Sequence, residues 1–316
     1  HPLDRLAPGY HRLRFTTRGV GFTAFVWRGG QDGPVLVVNG ATHGDEYEGP
    51  TLLRQWVENW RPKTLRGTVV LVPVLNEGAF LAGSRCNPSD TRNLAREFPG
   101  RANGSVTQRL AWLFDRQLLA QATHYADLHS AGSAYELLPW AGYITRPDAT
   151  DRVQRAMAAC FDSFWCWAGP FLPGRTLSAA YQRGIPAIYV ECQGAGGVAR
   201  EDLRALERGL RALLIQTGNL PVPRGGIKLR RQTFRSTKDT DEAHLQVHHP
   251  APHDGIFVPS VSLGEWIKRR QPIGVVQRIN SRVSTRIRAE STGRLVMLRR
   301  QRSVKAGDAL GTLAPV

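Results

Sequence analysis

Three apolar segments of this chain end in side chains that can bind a metal ion or move a proton. The run Val35–Asn39 leads through a turn of small residues to His43 and Glu46, which are three positions apart. An imidazole and a carboxylate at this spacing can bind one cation when the turn presents the first and a following helix presents the second. His129 ends a second apolar run, and Glu191 ends a third. Since a catalytic zinc ion usually has three protein ligands and one open position, these four side chains indicate a metal-dependent hydrolase.

The spacing of apolar residues predicts alternating strands and helices as far as about residue 220. The predicted strands are Val35–Asn39, Thr68–Val74, His124–His129 and Ile185–Cys192, and the predicted helices are Tyr47–Trp60, Ser105–Ala120, Asp151–Phe164 and Glu201–Thr217. Short buried strands that alternate with helices predict an α/β fold, with a mostly parallel sheet flanked by helices. Because ligands of such sheets bind beyond the carboxyl ends of the strands, His43, His129 and Glu191 are expected to lie near one another.

A long segment between two of these elements, Asn76–Asn103, is rich in Gly, Asn, Pro and Arg. Loops of this length are usually functional or disordered rather than simple connections. The segment contains Arg85, Arg92 and Arg96. We therefore expect it to lie over the metal.

From about residue 225 the pattern changes to short strands with frequent Gly and Pro. Two stretches resemble each other, Asp254–Val258 with Pro272–Val276 and Thr292–Val296 with Ala309–Leu313. This doubling predicts a small all-β domain similar to the sandwiched barrel of biotinyl and lipoyl carrier domains. The segment between the halves, Arg278–Arg288, contains no Lys, so no covalent cofactor is expected. The predicted domains are a catalytic domain at 1–222 and a β domain at 223–316.

Composition limits the classes of protein that this chain can belong to. Its 316 residues favour two domains, and no run of 18 apolar residues predicts a membrane-spanning helix. The four cysteines form no Cys-x-x-Cys pair, which favours reduced thiols in a cytoplasmic protein. A net charge of +16 raises the hypothesis of nucleic-acid binding. The basic residues are spread over both halves in short runs, which favours a solvated surface instead.

Several motifs, taken in order, resemble those of the zinc carboxypeptidase superfamily. They are His43-Gly44-Asp45-Glu46, Arg85, Asn93-Leu94-Ala95-Arg96-Glu97-Phe98-Pro99-Gly100, Asp127-Leu128-His129 and Val190-Glu191. Within that superfamily they are similar to the succinylglutamate desuccinylase/aspartoacylase branch, and the likeness covers nearly the whole chain. The resemblance implies a zinc carboxypeptidase-like domain, with a mostly parallel mixed sheet flanked by helices, followed by a small C-terminal all-β barrel-sandwich domain.

The resemblance also implies a role for each site residue. One Zn²⁺ per chain would be bound by His43, Glu46 and His129, and Glu191 would be the general base that activates the zinc water. The remaining implied roles are oxyanion stabilisation by Arg85 and substrate binding by Arg96 and Asn93. The implied activity is hydrolysis of the amide bond of N-acyl amino acids or related small amides.

Two departures from the family's pattern bear on the substrate. Ala95 stands where the family often has a second Asn, which helps the following Arg to bind a substrate carboxylate. Aspartoacylases proper close their site with a Tyr from the β domain, and no Tyr follows Tyr189 in this chain. Both departures argue against N-acetylaspartate and succinylglutamate as the substrate.

Asp45 and a group of histidines are interpreted without a catalytic role. Asp45 is expected at the N-terminus of the helix after the motif, where the helix dipole favours an anion. A group of histidines before the β domain could bind metal, but a polar interdomain linker is the favoured interpretation; its members are His244, His248, His249 and His253.

Two alternative functions stay open from the sequence. A metallocarboxypeptidase acting on peptides would use the same ligands, although a β domain beside the site should restrict access to small substrates. A non-catalytic, nucleic-acid-associated protein would account for the charge. A small N-acyl amino acid is the expected partner, no membrane or nucleic-acid partner is expected, and a homo-oligomer is compatible with the sequence.

Overall fold

A nine-stranded mixed sheet dominates the structure, a computed structural model that describes residues 2–161, 165–226, 233–236 and 248–314. In spatial order its strands are β1 (Gly9–Thr17), β2 (Val20–Arg28), β4 (Arg66–Val72), β3 (Gln31–Gly40), β5 (His124–Ser130), β9 (Ala187–Cys192), β7 (Trp140–Ile144), β8 (Trp165–Gly169) and β10 (Thr233–Ser236). The pairs β1/β2, β2/β4 and β7/β9 are antiparallel, and the other five are parallel. The predicted mostly parallel mixed sheet is therefore confirmed.

Helices cover both faces of this sheet, as expected. Helices α1 (Glu48–Asn59), α4 (Thr150–Ala158) and α6 (Arg200–Gln216) contribute to the apolar core on one face, and α3 (Val106–Gln117) and α5 (Thr176–Gln182) contribute to the core on the other. The short α2 (Glu77–Leu81) lies in the long loop. Ser105 caps α3 as predicted, in a capping box with Gln108. No helix of the described residues is long and apolar enough to cross a membrane.

The register of β5 against β9 brings the predicted strand-end residues together. His129 lies directly beside Glu191, and Asp127 lies directly beside Tyr189. Successive side chains of a strand point to opposite faces, so these four side chains share one face of the sheet. The parallel pairing thus places an imidazole and a carboxylate next to each other although they are 62 residues apart in the sequence.

The C-terminal part of the chain forms two antiparallel sheets around its own core. The first has the order β14 (Ser284–Arg288), β13 (Pro272–Gln277), β11 (Gly255–Pro259) and β16 (Ser303–Val304), and the second contains β12 (Trp266–Ile267), β15 (Gly293–Arg299) and β17 (Gly311–Ala314). Each of the two similar stretches becomes an antiparallel pair, β11 with β13 and β15 with β17. The all-β C-terminal region is therefore confirmed.

One short strand ties the C-terminal sheets to the region around the site. Strand β6 (Tyr135–Leu137) pairs antiparallel with β15, so that Leu137 lies opposite Met297. The buried Arg299 of β15 donates a 2.9 Å hydrogen bond to the Tyr135 hydroxyl and forms a 2.9 Å ion pair with Asp308. These contacts fix the C-terminal sheet beside the carboxyl ends of β5 and β9.

The structure also differs from the predicted elements. The antiparallel hairpin of β1 and β2 was not predicted, because its strands alternate apolar and polar residues instead of forming apolar runs. The helix predicted at Asp151–Phe164 ends at Ala158, and residues 162–164 lie outside the described ranges. The domain boundary between 222 and 223 stays a prediction, since residues 227–232 and 237–247 are not described; β10, beyond that boundary, joins the larger sheet.

Candidate metal centre and substrate pocket

A strained turn after β3 presents His43. Ala41 has a φ of 49°, in the left-handed region that non-glycine residues rarely adopt. A Cβ on Gly44 would lie 2.0 Å from the backbone carbon of Ala79, so only glycine fits where the turn packs against α2. The turn therefore holds the buried imidazole in one place.

The carboxylate of Glu46 lies between two imidazoles. Its Oε1 is 2.8 Å from Nδ1 of His43, and its Oε2 is 2.9 Å from Nδ1 of His129. On the far side of each ring, Nε2 of His43 is 3.0 Å from Oδ1 of Asn93, and Nε2 of His129 is 3.0 Å from Oδ2 of Asp127. The three predicted ligands thus converge.

This arrangement fits a divalent metal ion. When each Nε2 donates its proton to Asn93 or Asp127, both Nδ1 atoms turn a lone pair towards the Glu46 carboxylate. The three donor atoms lie within 4.8 Å of one another, and this is the group of potential ligands found among the described residues. Electron-pair donors that face one another need a cation between them, and two His with one Glu is a donor set that suits zinc. The three residues could therefore hold a metal ion.

The pKa shifts of the three residues also indicate that the site stabilises positive charge. Burial raises the pKa of Glu46, but the two histidines outweigh this and lower it. Burial lowers the pKa of His129, but Asp127 and Glu46 together raise it well above its usual value. Burial and Arg85 lower the pKa of His43. The two carboxylates thus stabilise a positive charge at His129, and a metal ion would take its place.

Asp127 orients His129 from within a buried hydrogen-bond network. Its Oδ1 accepts from the side chains of Asn39 at 2.8 Å and Thr42 at 3.0 Å, and its Oδ2 accepts from Thr176 at 2.6 Å. The sequence motif contained Asp127, but no role was predicted for it. The signal was present, since a residue two positions before a ligand on one strand shares its face.

Replacing Asp127 with Asn is expected to weaken metal binding about 10- to 100-fold, because partners that orient a metal-binding histidine have effects of this size. The measurement is competitive metal titration against a chromogenic chelator. Asp45→Asn is the matched control, since this buried carboxylate is also near the ligands but accepts from Ser133 and not from a histidine. Equal affinity of the Asp127→Asn variant and the wild type would contradict this role.

Glu191 lies directly beside His129 on the neighbouring strand and is not one of the three candidate ligands. Burial and the nearby Glu46 raise the pKa of Glu191 to about 8, although His129 and Arg85 act in the opposite direction. A carboxyl group with this pKa can hold a proton near neutral pH and release it. Its place next to the candidate metal ligand His129 suits a general base.

The long loop contacts the site as expected. Arg85 is 3.4 Å from Oε1 of Glu46, while Arg92 forms a 2.9 Å ion pair with Glu97 instead. Oδ1 of Asn93 lies against His43 and also accepts from the backbone N–H of Ala95 at 2.9 Å. From this position Asn93 can orient the candidate ligand His43. The resemblance implied substrate binding by Asn93, which stays a prediction.

A cavity of about 330 Å³ opens beside these residues. Its polar end is lined by His43, Glu46, His129, Glu191 and the guanidinium groups of Arg85, Arg96 and Arg175, and its other end by apolar side chains. Ala95 also lines the cavity. Sequence reasoning missed Arg175, which follows a loop and carries no recognisable motif. Burial, together with Arg175 and Arg85, lowers the pKa of Arg96 to about 10.

Two other predictions about side chains were wrong. Asp45 does not cap α1, which begins at Glu48; its carboxylate accepts from the backbone and hydroxyl of Ser133 at 3.1 Å each. His249 and His253 are buried in the C-terminal sheets and hydrogen-bonded there, so they are structural and not part of a polar linker. His244 lies outside the described residues.

The chain is similar to known proteins over most of its length. The model of the succinylglutamate desuccinylase/aspartoacylase catalytic domain matches residues 32–216. An N-alpha-acetyl-L-2,4-diaminobutyric acid deacetylase from Halomonas elongata is 32% identical over 295 residues, which cover 90% of this chain and 83% of the relative.

Two solved structures have the same fold over nearly the whole chain. One is a succinylglutamate desuccinylase from a Silicibacter species, with 27% identity, a TM-score of 0.87 and coverage of 99% of this chain and 96% of the other. The second is the product-bound ectoine utilization protein EutE (DoeB) from Ruegeria pomeroyi, with 27% identity, a TM-score of 0.87 and coverage of 99% and 97%.

Proposed function

Because this chain belongs to the succinylglutamate desuccinylase/aspartoacylase family, we propose that it is a zinc-dependent deacylase that hydrolyses the amide bond of N-acyl amino acids. Deacylation is the activity for which its Halomonas relative is named. The observation that carries the proposal is the convergence of two histidine Nδ1 atoms on the Glu46 carboxylate, beside a buried Glu191. We further propose a cytoplasmic enzyme with domains at 1–222 and 223–316.

The metal would be one zinc ion per chain, held by His43, Glu46 and His129. When bound, zinc lowers the pKa of a water molecule towards about 7 and polarises a carbonyl group. Asn93 and Asp127 would keep both imidazoles in the tautomer that binds metal, because each accepts the Nε2 proton.

Glu191 would move the proton that the reaction requires. It would take a proton from the attacking water and later transfer it to the leaving amine nitrogen, so that one carboxylate serves as base and then as acid. The burial that raises its pKa to about 8 supports this role, since the group must hold the proton between the two steps.

The three arginines of the cavity would recognise negative charge. Arg85, 3.4 Å from the Glu46 carboxylate, is placed to stabilise the oxyanion that forms at the amide carbonyl. Arg96 and Arg175 lie in the same cavity, where burial and nearby arginine charges lower the pKa of each guanidinium group. A substrate carboxylate would offset this repulsion. Arg175 would thereby take over part of the carboxylate binding that Ala95 cannot provide, and Asn93 remains a candidate for further contact.

The shape of the cavity favours small amides over peptides. Leu137 and Met297, paired across β6 and β15, line it from the C-terminal side. A volume of about 330 Å³ is of the size that binds a small molecule such as an acylated amino acid. This supports deacylation over the carboxypeptidase alternative.

Metal content and activity of the wild-type protein test the proposal together. We expect about one zinc per chain by elemental analysis, and hydrolysis of N-acyl amino acids that is lost on chelation and restored by zinc. The control is the same chelated sample to which magnesium is added instead. Protein that binds no metal after reconstitution would refute the proposed function.

A further inference from the structure

The cavity extends away from the metal ligands into an aromatic and aliphatic end. We propose that this end binds a large apolar group of the substrate, either an aromatic or branched side chain or an acyl group of the same character. The inference rests on the proposed deacylase function and specifies its substrate class. It is carried by the register of three strands, the aliphatic side chains that also line the cavity and the charges of its lining.

Tryptophan residues of the next two strands lie beside the proposed base in the sheet. Glu191 of β9 lies beside Trp140 of β7, and on the same face Tyr189 lies beside Gly142, which in turn pairs with Trp167 of β8. A Cβ on Gly142 would lie 2.4 Å from the Tyr189 ring, so the ring covers this glycine. Trp140, Trp167 and Tyr189 all line the cavity. The surface next to the reacting atoms is therefore a floor of aromatic rings.

Polar groups of this floor are occupied with one another. The indole N–H of Trp140 donates to the Tyr189 hydroxyl at 3.3 Å, and burial raises the pKa of that hydroxyl. The rings of Trp140 and Trp167 are 6.2 Å apart between centroids. What the floor offers a ligand is thus mainly apolar ring surface, which favours groups that gain from leaving water.

Aliphatic side chains line the cavity as well. Leu137 and Met297 belong to one cluster with Trp140 and Trp167, and Leu172 adds a further aliphatic side chain from the segment before α5. Met297 comes from the C-terminal sheet. A ligand group beside the aromatic floor would therefore also contact aliphatic side chains.

Among the described residues that line the cavity, cations outnumber carboxylates. Among the described lining residues the carboxylates are Glu46 and Glu191, and both have roles in metal binding and proton transfer. The cations are Arg85, Arg96 and Arg175. A free side-chain amine, as in the compound named for the Halomonas relative, would be repelled by the like charge of these three guanidinium groups. A substrate with one carboxylate and one large apolar group is complementary instead.

A panel of substrates tests the inference and separates the two sources of the apolar group. One arm contains N-acetyl-L-phenylalanine and N-acetyl-L-leucine, and a second contains N-benzoylglycine and N-isovalerylglycine. The reference compounds are N-acetylglycine, N-acetyl-L-aspartate and Nα-acetyl-L-2,4-diaminobutyrate. We expect the kcat/KM of one of these two arms to exceed that of N-acetylglycine about 10- to 100-fold, because each methylene bound in an apolar pocket raises kcat/KM by a factor of this order. The arm that shows the increase identifies the source of the apolar group. Preference for the charged compounds, with no gain for either arm, would overturn the inference.

A matched pair of variants tests which residues are responsible. Trp167→Leu removes a ring that lines the cavity, whereas Trp165→Leu removes one on the same strand and face that does not. Both tryptophans are buried in the same cluster, so the two changes have similar costs for folding. We expect Trp167→Leu to lower the preference for the apolar arm about tenfold and Trp165→Leu to leave it unchanged. An equal effect of the two variants would contradict the inference.

Binding distinguishes failure of this inference from failure of the proposed function. Calorimetric titration of the wild-type protein with N-acetyl-L-phenylalanine and with N-acetylglycine needs no turnover. If no N-acyl amino acid is hydrolysed but the aromatic compound binds about tenfold more tightly, the proposed function is wrong and the apolar subsite stands. If hydrolysis occurs and the two compounds bind equally, the function stands and the subsite is refuted.

Discussion

The Glu191→Gln variant is expected to keep its zinc and to lose about 10²- to 10⁴-fold in kcat, which is the usual contribution of a general base. The amide has nearly the shape of the carboxyl group but cannot accept and return a proton. The proposed metal ligands are His43, Glu46 and His129, so the metal content should stay at the wild-type level. The measurement combines elemental analysis with steady-state kinetics on the same sample.

Asp202→Asn is the matched control for this experiment. Asp202 is another carboxyl group whose pKa is raised by burial and by a neighbouring carboxylate, Glu201, but it does not line the substrate cavity. The control should retain wild-type kcat. Near-normal turnover of the Glu191→Gln variant would refute the mechanism, and loss of zinc from it would show that Glu191 supports the ligand group instead.

The His129→Ala variant should lose both zinc and activity. Two ligands remain, whereas catalytic zinc sites usually have three from the protein. The substitution also leaves the buried carboxylates of Glu46 and Asp127 without the imidazole that each contacts. Removing one partner of a buried ion pair costs about 3–5 kcal/mol, so the free energy of unfolding should fall by a similar amount. Elemental analysis, hydrolysis and denaturant unfolding measure the three effects.

His124→Ala provides the control on the same strand. Its ring contacts the Thr123 hydroxyl at 2.9 Å and lies at the other end of β5, away from the cavity. This variant should keep metal, activity and stability close to those of the wild type. A His129→Ala protein that still contained one zinc per chain and hydrolysed its substrate would exclude His129 as a ligand.

The ligand residues could be predicted from the sequence because their signal is local. An apolar run that ends in a chemically active side chain is visible in a few residues, and parallel sheets gather strand ends at one edge. This reasoning brought His43, His129 and Glu191 together before any contact was known. The same local patterns predicted the starts of α1, α3 and α6 to within one residue and their ends to within three.

The residues that contact the two candidate histidine ligands could be predicted only in part from the sequence. Asp127 follows from β alternation, because it is two residues before His129 on one strand. Asn93 lies in the motif of the long loop, but its contact with His43 depends on how that loop folds back over the turn. Spacing alone could not reveal that contact, since 50 residues separate the two side chains.

By itself, the sequence determined the class of fold, the resemblance to a family and the side chains that could bind metal. The tertiary structure alone decided what surrounds them. The antiparallel insertion of β7 beside β9 places Trp140 next to Glu191, and the pairing of β6 with β15 brings Met297 to the cavity. Arg175 reaches the same cavity from a loop. These neighbours depend on strand order and register between distant segments, which no local pattern encodes. The candidate metal-binding side chains could therefore be predicted from the sequence, whereas the shape of the pocket beside them could not.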